Sequence, residues 1–283
     1  MTVIGDRSSP IEPSMRTWVS CLLLAAFISG CAAAPPLPPT KGFQALRSDP
    51  RILHEPGADQ IAERVAQCLP QAVSQIESAH RRPFAQPVQV HVCATETCFS
   101  NHVNSPNVSG ATVPDNQVFL SPRLFDTEAH RLPMILTHEL SHLHLGQQIG
   151  HFTHRVPVWF HEGLAAYASN GGGADYATEE EARSALRQGR VFSPALLDNE
   201  HTRHKAEHWR LSPYLFYRQA MMFMQHLRHT SEERFEEFLL RVQDKEDFAH
   251  AFGNAYNMGL DEAGQRFIQG FAMDAAAPAA PTQ

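Results

Sequence analysis

Apolar residues in the middle of the chain recur at the spacing of an amphipathic helix. They lie one, three and four positions apart, with polar residues between them. The members of this series are Leu132, Ile135, Leu136, Leu140 and Leu143. Pro133 can be accommodated in a first turn, and Gly146 and Gly150 mark the end. The pattern predicts a helix that begins near residue 132 and ends before residue 150.

The pattern on either side of this helix predicts different kinds of structure. Upstream, a helix over about residues 58–80 precedes an alternating strand at 88–92 and a second strand at 118–120, with an irregular segment rich in Asn, Ser and Gly between the strands. Downstream, the periodicity predicts helices near 158–167, 178–187, 213–229, 231–242 and 260–273. This order indicates the α+β class, with a small N-terminal mixed sheet and a mostly helical C-terminal part.

The amino-terminal segment has the features of an export signal. Arg16 precedes an apolar run at 18–28 that is too short to span a bilayer comfortably, and the segment closes on Ile28-Ser29-Gly30-Cys31. This ending resembles the bacterial lipobox, after which a new terminal Cys31 would carry lipid. Ala32 follows it, and a residue other than Asp there implies the outer membrane, facing the periplasm. A simple cleaved signal or a short membrane anchor is the alternative.

These features divide the chain into four parts. We predict a lipoprotein signal peptide at 1–30, a Pro-rich linker at 31–56, one globular domain at 57–273 and a disordered tail at 274–283. Without the signal, 253 of the 283 residues remain, and the net charge stays at -7 because the signal holds two basic and two acidic residues. A mildly acidic chain without a basic patch indicates no nucleic-acid partner, so membrane contact would come through the lipid on Cys31 alone.

Cysteine use outside the signal fits an exported protein. Beyond Cys21 and Cys31, the chain has Cys68, Cys93 and Cys98. Because three is an odd number, at most one intrachain disulfide forms and one thiol stays free. Cys93 with Cys98 is the local option and Cys68 with either of them is the longer one.

The predicted central helix carries a cluster of residues suited to metal chemistry. Residues four apart on a helix lie nearly above one another, so His138 and His142 can direct ring nitrogens at the same ion. Glu139 is one position along and misses that ion. Its carboxylate is therefore free to take a proton from an attacking water. The spacing predicts a hydrolytic metal site.

A third metal ligand is needed, because catalytic zinc sites use three protein ligands and leave one position open. Glu162 lies in the apolar run 158–167, where a carboxylate is seldom buried without a partner. His144 is two residues past the second motif histidine and points away from the metal face. His151 and His154 remain possible, but they fall in a turn punctuated by Gly. We therefore predict that Glu162 and the two motif histidines bind Zn²⁺.

Two stretches of the chain resemble the gluzincin class of zinc peptidases, and more narrowly the small bacterial peptidase MA-like domains. They are Thr137-His138-Glu139-Leu140-Ser141-His142 and Trp159-Phe160-His161-Glu162-Gly163-Leu164-Ala165-Ala166-Tyr167. In that family the second motif usually reads Trp-x-x-Glu-Gly-Leu-Ala-Glu-Tyr. The resemblance covers about residues 57–273, with its motif core at 137–167. It implies a zincin-like fold, Zn²⁺ and peptide hydrolysis.

The resemblance also implies a tyrosine that stabilises the oxyanion. Tyr217 occupies the matching position at the start of a later helix, and Tyr214 is the alternative. Two features depart from the family. Ala166 stands where a carboxylate often supports a zinc-binding imidazole, and residues 109–120 lack the Gly-x-Met-Glu-Asn motif of the aminopeptidases, which favours an endopeptidase. The fold would place the last strand, 118–120, at the border of the cleft.

Together these observations predict a lipid-anchored zinc peptidase that hydrolyses peptide or protein substrates in the cell envelope. The alternative from another class is a non-catalytic binding lipoprotein that keeps the zincin fold as a scaffold. Retention of Glu139 favours the enzyme, because a structural metal site has no use for that carboxylate. A zinc hydrolase acting on a non-peptide bond is a third possibility.

Overall fold

The computed structural model describes residues 41–105, 107–151 and 154–274. The predicted signal at 1–30, the lipidation site Cys31, the first part of the linker and almost all of the predicted tail lie outside these residues. Among the described helices, none combines the length and the apolar content needed to cross a membrane.

A small mixed sheet forms the N-terminal part. Its strands are β1 (Gln44–Ala45), β2 (Ile52–His54), β3 (Gln89–Val92), β4 (Gly110–Val113) and β5 (Gln117–Leu120). They lie in the order β1-β2-β3-β5-β4, with β2, β3 and β5 parallel and the outer strands β1 and β4 antiparallel to their neighbours. The predicted mixed sheet is therefore present.

The sheet includes more strands than the pattern predicted. β1 and β2 lie in the stretch 31–56 that we assigned to a linker, and β4 lies in the segment that we took to be irregular. The residues of these three short strands show no clear alternation of apolar and polar side chains. β2 and β4 are defined instead by their pairing with β3 and β5, and β1 by its pairing with β2.

The helices follow the predicted order closely. They are α1 (Asp59–His80), α2 (Glu96–His102), α3 (Leu132–Ile149), α4 (Val158–Ala168), α5 (Glu179–Arg187), α6 (Pro213–Thr230), α7 (Glu232–Gln243), α8 (Phe248–Tyr256) and α9 (Leu260–Asp274). The bounds agree with the predictions to within a few residues, except that α2 and α8 were not predicted. The predicted α+β class with a mostly helical C-terminal part is confirmed.

Helix α3 lies between two hydrophobic cores. Its residues Leu136, Leu140 and Leu143 pack with α1 and the sheet, whereas Leu145 and Ile149 pack with the C-terminal helices. A helix that is buried on most of its surface belongs to the interior of a domain. The motif residues on α3 are therefore held from both sides.

The disulfide pairing is the local option. Cys93 and Cys98 are bonded, with their Cα atoms 5.6 Å apart, and this bond links the end of β3 to the first turn of α2. Cys68 on α1 is a free, half-buried thiol.

Candidate metal centre

Two helices bring three potential metal ligands together. The Nε2 atoms of His138 and His142 on α3 lie 3.0 Å apart, as expected for residues one helical turn apart. Glu162 on α4 extends its carboxylate toward both rings, with Oε2 at 3.5 Å from His138 Nε2 and 3.4 Å from His142 Nε2. The three ligand atoms predicted from the sequence therefore converge on one point.

The spacing of these atoms fits a tetrahedral ion. Ligands at about 2.0–2.1 Å from a tetrahedral Zn²⁺ are separated from one another by roughly 3.3–3.4 Å. The three observed separations, 3.0, 3.4 and 3.5 Å, lie around this value. Two imidazoles and a carboxylate are also donors that zinc prefers. The cluster could bind a metal ion. Among the described residues, it is the one group of three or more histidines, cysteines and carboxylates whose ligand atoms lie close enough together to do so.

Burial and the neighbouring charges shift the pKa values in this cluster in opposite directions. Burial alone would raise the pKa of Glu162, but His142 and His138 hold it well below its ordinary value. Burial lowers the pKa of His142, and the carboxylates of Glu162 and Glu139 reverse this effect, so that the pKa is raised overall. For both Glu162 and His142, the attraction between the carboxylates and the imidazoles outweighs the effect of burial on the pKa.

Glu139 is held beside the cluster by the edge of the sheet. Its side chain is 7% exposed and lines the cleft in front of the cluster. The Thr112 hydroxyl on β4 donates a hydrogen bond of 2.7 Å to the Glu139 carbonyl and lies 3.1 Å from Glu139 Oε2. Thr112 was not predicted, because its contact with Glu139 depends on the approach of β4 to α3.

The two tyrosines proposed for the oxyanion occupy different positions. The Tyr217 ring lies beside His138, with centroids 6.3 Å apart. Glu162, together with burial, raises the pKa of Tyr217 well above its ordinary value, so the phenol stays protonated and can donate a hydrogen bond. Tyr214 is 40% exposed and contacts the ring of Tyr176 instead. The structure therefore places Tyr217, and not Tyr214, against the cluster.

The other candidate histidines do not reach the cluster. His144 is buried, and its Nδ1 lies 3.0 Å from Nδ1 of His80. His151 Nε2 lies 2.9 Å from the side-chain oxygen of Asn116. His154 is exposed on the cleft wall.

Ala166 packs against the turn that follows α4. In the family that the sequence resembles, this position usually holds a carboxylate. The Ala166 side chain is fully buried in a small cluster with Ala174 and Met221, and the Ala166 carbonyl accepts a hydrogen bond from Gly171. A longer side chain would displace this turn. The Nδ1 atoms of His138 and His142 are buried without a hydrogen-bond partner among the residues that the structure describes.

The same turn packs a glycine against one of the three potential ligands, His138. Gly173 has a φ of +77°, and a Cβ at this position would lie 2.9 Å from Cε1 of His138. Only glycine combines this backbone conformation with so close an approach. The His138 ring is therefore held on this side by packing against Gly173, and not by a hydrogen bond to a carboxylate.

Asp198 anchors the helix that carries Glu162. Its side chain is fully buried, and Oδ2 accepts a hydrogen bond of 3.1 Å from the backbone of Val158 at the start of α4. Oδ1 accepts a hydrogen bond of 2.9 Å from the backbone N–H of His204, and Arg203 pairs with Oδ2 at 2.8 Å. A carboxylate is favourable at a helix N-terminus. Sequence analysis missed Asp198 because it lies 40 residues from the helix start that it caps.

The cluster opens on a cleft of about 1080 Å³. Its walls include residues 107–112, the exposed face of α3, the segment 199–207 and the start of α6. The strand on the cleft is β4, so the prediction that the last strand, 118–120, borders it was wrong. β5 lies between β3 and β4, and the antiparallel β4 covers the edge that β5 would otherwise present.

The fold and the site can be compared with known classes of protein structure. A small mixed sheet, a buried helix with two histidines and a second helix with a glutamate are compatible with a zincin-like fold. No protein-family model matches this chain, and no curated protein matches it either.

Among solved structures, that of native yeast LTA4 hydrolase is similar, with a TM-score of 0.50 and 15% sequence identity. The match covers 85% of this chain and 40% of the hydrolase chain. At this identity the similarity concerns the fold, and this chain spans less than half of the hydrolase's length.

Proposed function

We propose that this protein is a zinc-dependent peptidase, with an endopeptidase favoured over an aminopeptidase. The observation that carries the proposal is the convergence of His138, His142 and Glu162 at tetrahedral spacing, with Glu139 beside them and outside the ligand set. Three protein ligands leave one coordination position for substrate or water, which is the arrangement of catalytic sites. The fold shared with a protein named a hydrolase supports the same conclusion.

The chain's own residues supply the proton chemistry. A bound Zn²⁺ would polarise the scissile carbonyl and make a water molecule more acidic. Glu139 takes the proton from the attacking water and returns it to the leaving amine. The protonated hydroxyl of Tyr217 donates a hydrogen bond to the substrate oxygen as negative charge develops on it. Thr112 keeps the Glu139 carboxylate oriented during both proton transfers.

We also propose that the protein is exported and anchored to the bacterial envelope, at the outer membrane, through lipid on Cys31. The lipobox-like sequence supports this proposal. Replacement of Cys31 by Ser is expected to abolish incorporation of labelled fatty acid, because the thiol that would carry the lipid is removed. Incorporation by Cys31→Ser at the wild-type level would contradict the lipid anchor and leave the peptidase proposal intact.

The decisive experiment measures zinc content and peptidase activity in the same preparations. We expect about one zinc per chain, and loss of hydrolysis of a denatured protein substrate by about 10²-fold or more in Glu139→Gln. Because Glu139 is not a ligand, that variant should retain its zinc, whereas His142→Ala should lose it. Full activity in Glu139→Gln would refute the mechanism.

A binding lipoprotein with the same fold makes the opposite prediction. It would bind zinc, or no metal, and would hydrolyse neither denatured proteins nor peptides before or after addition of Zn²⁺. A hydrolase of non-peptide bonds would be inert toward peptides and would show activity toward esters or other acyl substrates that a chelator removes. The surface residue Glu233→Gln on α7 is a matched charge-removal control and should leave activity unchanged.

A further inference from the structure

Exposed apolar side chains are concentrated on the cleft. Among the described residues, four large hydrophobic side chains are more than a third exposed: Val108 (36%), Tyr176 (55%), Leu196 (39%) and Tyr214 (40%). Val108, Tyr176 and Tyr214 all line the cleft in front of the metal cluster, and Leu196 does not. Exposed apolar groups gathered at one concave site usually mark a place where a ligand binds.

The tyrosine pair lies next to the reacting centre. Tyr214 is one helical turn before Tyr217 on α6, and Tyr217 lies beside the ligand His138. Tyr176 is three residues beyond Gly173, which packs against the same imidazole. The two exposed rings contact each other, with centroids 4.8 Å apart. Both rings line the same cleft as Tyr217 and the metal cluster.

This surface is held in place by a buried arginine. The Arg131 guanidinium, 5% exposed, lies over the Tyr176 ring at 4.5 Å from the ring centroid. Asp175 accepts hydrogen bonds of 2.6 and 3.0 Å from it, and Ser109, the neighbour of Val108, contacts it at 3.0 Å. A rigid apolar surface loses little entropy when a ligand binds.

The charge of Arg131 is already neutralised. Both Asp175 and Glu128 pair with its guanidinium, so it offers no free charge to a substrate carboxylate. What this wall presents to the cleft is the pair of tyrosine rings. A neutral aromatic or large aliphatic side chain matches such a surface best, since it buries apolar area against the rings and an aromatic ring can also stack on them.

We propose that Tyr176 and Tyr214 form a specificity subsite that binds an aromatic or large aliphatic side chain of the substrate, next to the bond that is cleaved. This inference rests on the proposed peptidase function. It predicts that the enzyme prefers peptides with Phe over otherwise identical peptides with Ala at one position adjacent to the scissile bond.

The test compares two internally quenched peptides that differ only by Phe or Ala at that position. The wild-type protein loaded with zinc should show a ratio of kcat/KM for the Phe peptide over the Ala peptide of about tenfold or more. The double variant Tyr176→Ala/Tyr214→Ala should reduce this ratio to near one. Tyr176→Phe/Tyr214→Phe keeps the rings and should keep the ratio. Leu196→Ala, an exposed apolar residue outside the cleft, should change nothing.

The outcomes separate the subsite from the peptidase function. If the wild-type protein cleaves both peptides equally, or if the double Ala variant keeps the preference, the subsite is refuted and the peptidase remains. If the wild-type protein cleaves neither peptide, the function fails, and fluorescence anisotropy of the labelled peptides then decides the subsite. Tighter binding of the Phe peptide that is lost in the double Ala variant would support it, and equal binding of both peptides would refute it.

Discussion

The close approach of α4 to α6 leaves no room for a side chain at Gly163. A Cβ added to Gly163 would lie 2.9 Å from the backbone carbon and oxygen of Ala220 and 3.0 Å from its Cβ. Ordinary contact begins near 3.4 Å, so the helices would have to separate by about 0.5 Å. Backbone atoms cannot rotate away as a side-chain tip could. The residue before Gly163 is the proposed ligand Glu162, and α6 carries Tyr217, so the separation would also move the site.

The expected magnitude follows from two opposing effects. Overpacking of this kind costs about 1–3 kcal/mol, and alanine gains about 1 kcal/mol over glycine within a helix. Gly163→Ala should therefore lower the free energy of unfolding by roughly 0–2 kcal/mol. Gly253, inside α8, is the matched control, because a Cβ there meets nothing within 4 Å. Gly253→Ala should raise stability by about 0.5–1 kcal/mol.

Urea unfolding of both variants, with a chelator present, measures the difference directly, because bound metal would otherwise add to the stability of the folded state. We expect Gly163→Ala to be less stable than Gly253→Ala by about 1–3 kcal/mol. Peptidase activity should fall in Gly163→Ala alone. Equal stabilisation by the two substitutions would show that α4 and α6 do not approach as closely as described.

Three further predictions test the surroundings of the site. Ala166→Glu introduces the carboxylate that is usual in the family that the sequence resembles. It should destabilise the protein by about 1–3 kcal/mol without tightening zinc binding, because Ala174 and Met221 fill the space around Ala166. A stable variant with higher zinc affinity would contradict this prediction. Thr112→Val removes the hydroxyl that contacts both the carbonyl and the carboxylate of Glu139, so it should lower kcat by about tenfold with little change in KM or in zinc content. An unchanged kcat in steady-state assays would count against this role of Thr112. Burial lowers the pKa of His91 to about 4, so the unfolded chain binds more protons than the folded chain between pH 6.5 and 4. The free energy of unfolding should therefore fall as the pH drops over this range. In urea unfolding at several pH values, His91→Phe should reduce this loss, whereas His250→Asn, at an exposed position, should not.

The convergence of His138, His142 and Glu162 could be predicted because its geometry is mostly local. The spacing of His138 and His142 becomes proximity as soon as the segment is helical, and the apolar run around Glu162 required a partner for its carboxylate. The position of Tyr217 was reached through the resemblance to gluzincins. The structure adds its distance from His138 and separates it from Tyr214.

The support of the site could not be predicted in the same way. Thr112 reaches Glu139 across 27 positions, and Asp198 reaches the start of α4 across 40. Each contact exists because separate elements pack together, and neither leaves a periodic signal near the residue that it supports. The absence of a carboxylate at Ala166 was visible in the sequence, but the turn that fills the space beside it was not.

The sequence alone thus determined the elements with long, regular periodicity, the α+β class and the residue types that could bind a metal, because helix geometry turns spacing into direction. Tertiary structure alone decided that β4 borders the cleft, that Cys93 pairs with Cys98 and that Tyr176 and Tyr214 meet beside the site. The physical reason is that short strands, turns and exposed side chains have no strong local preference. Their positions follow from burying two hydrophobic cores against the two sides of α3.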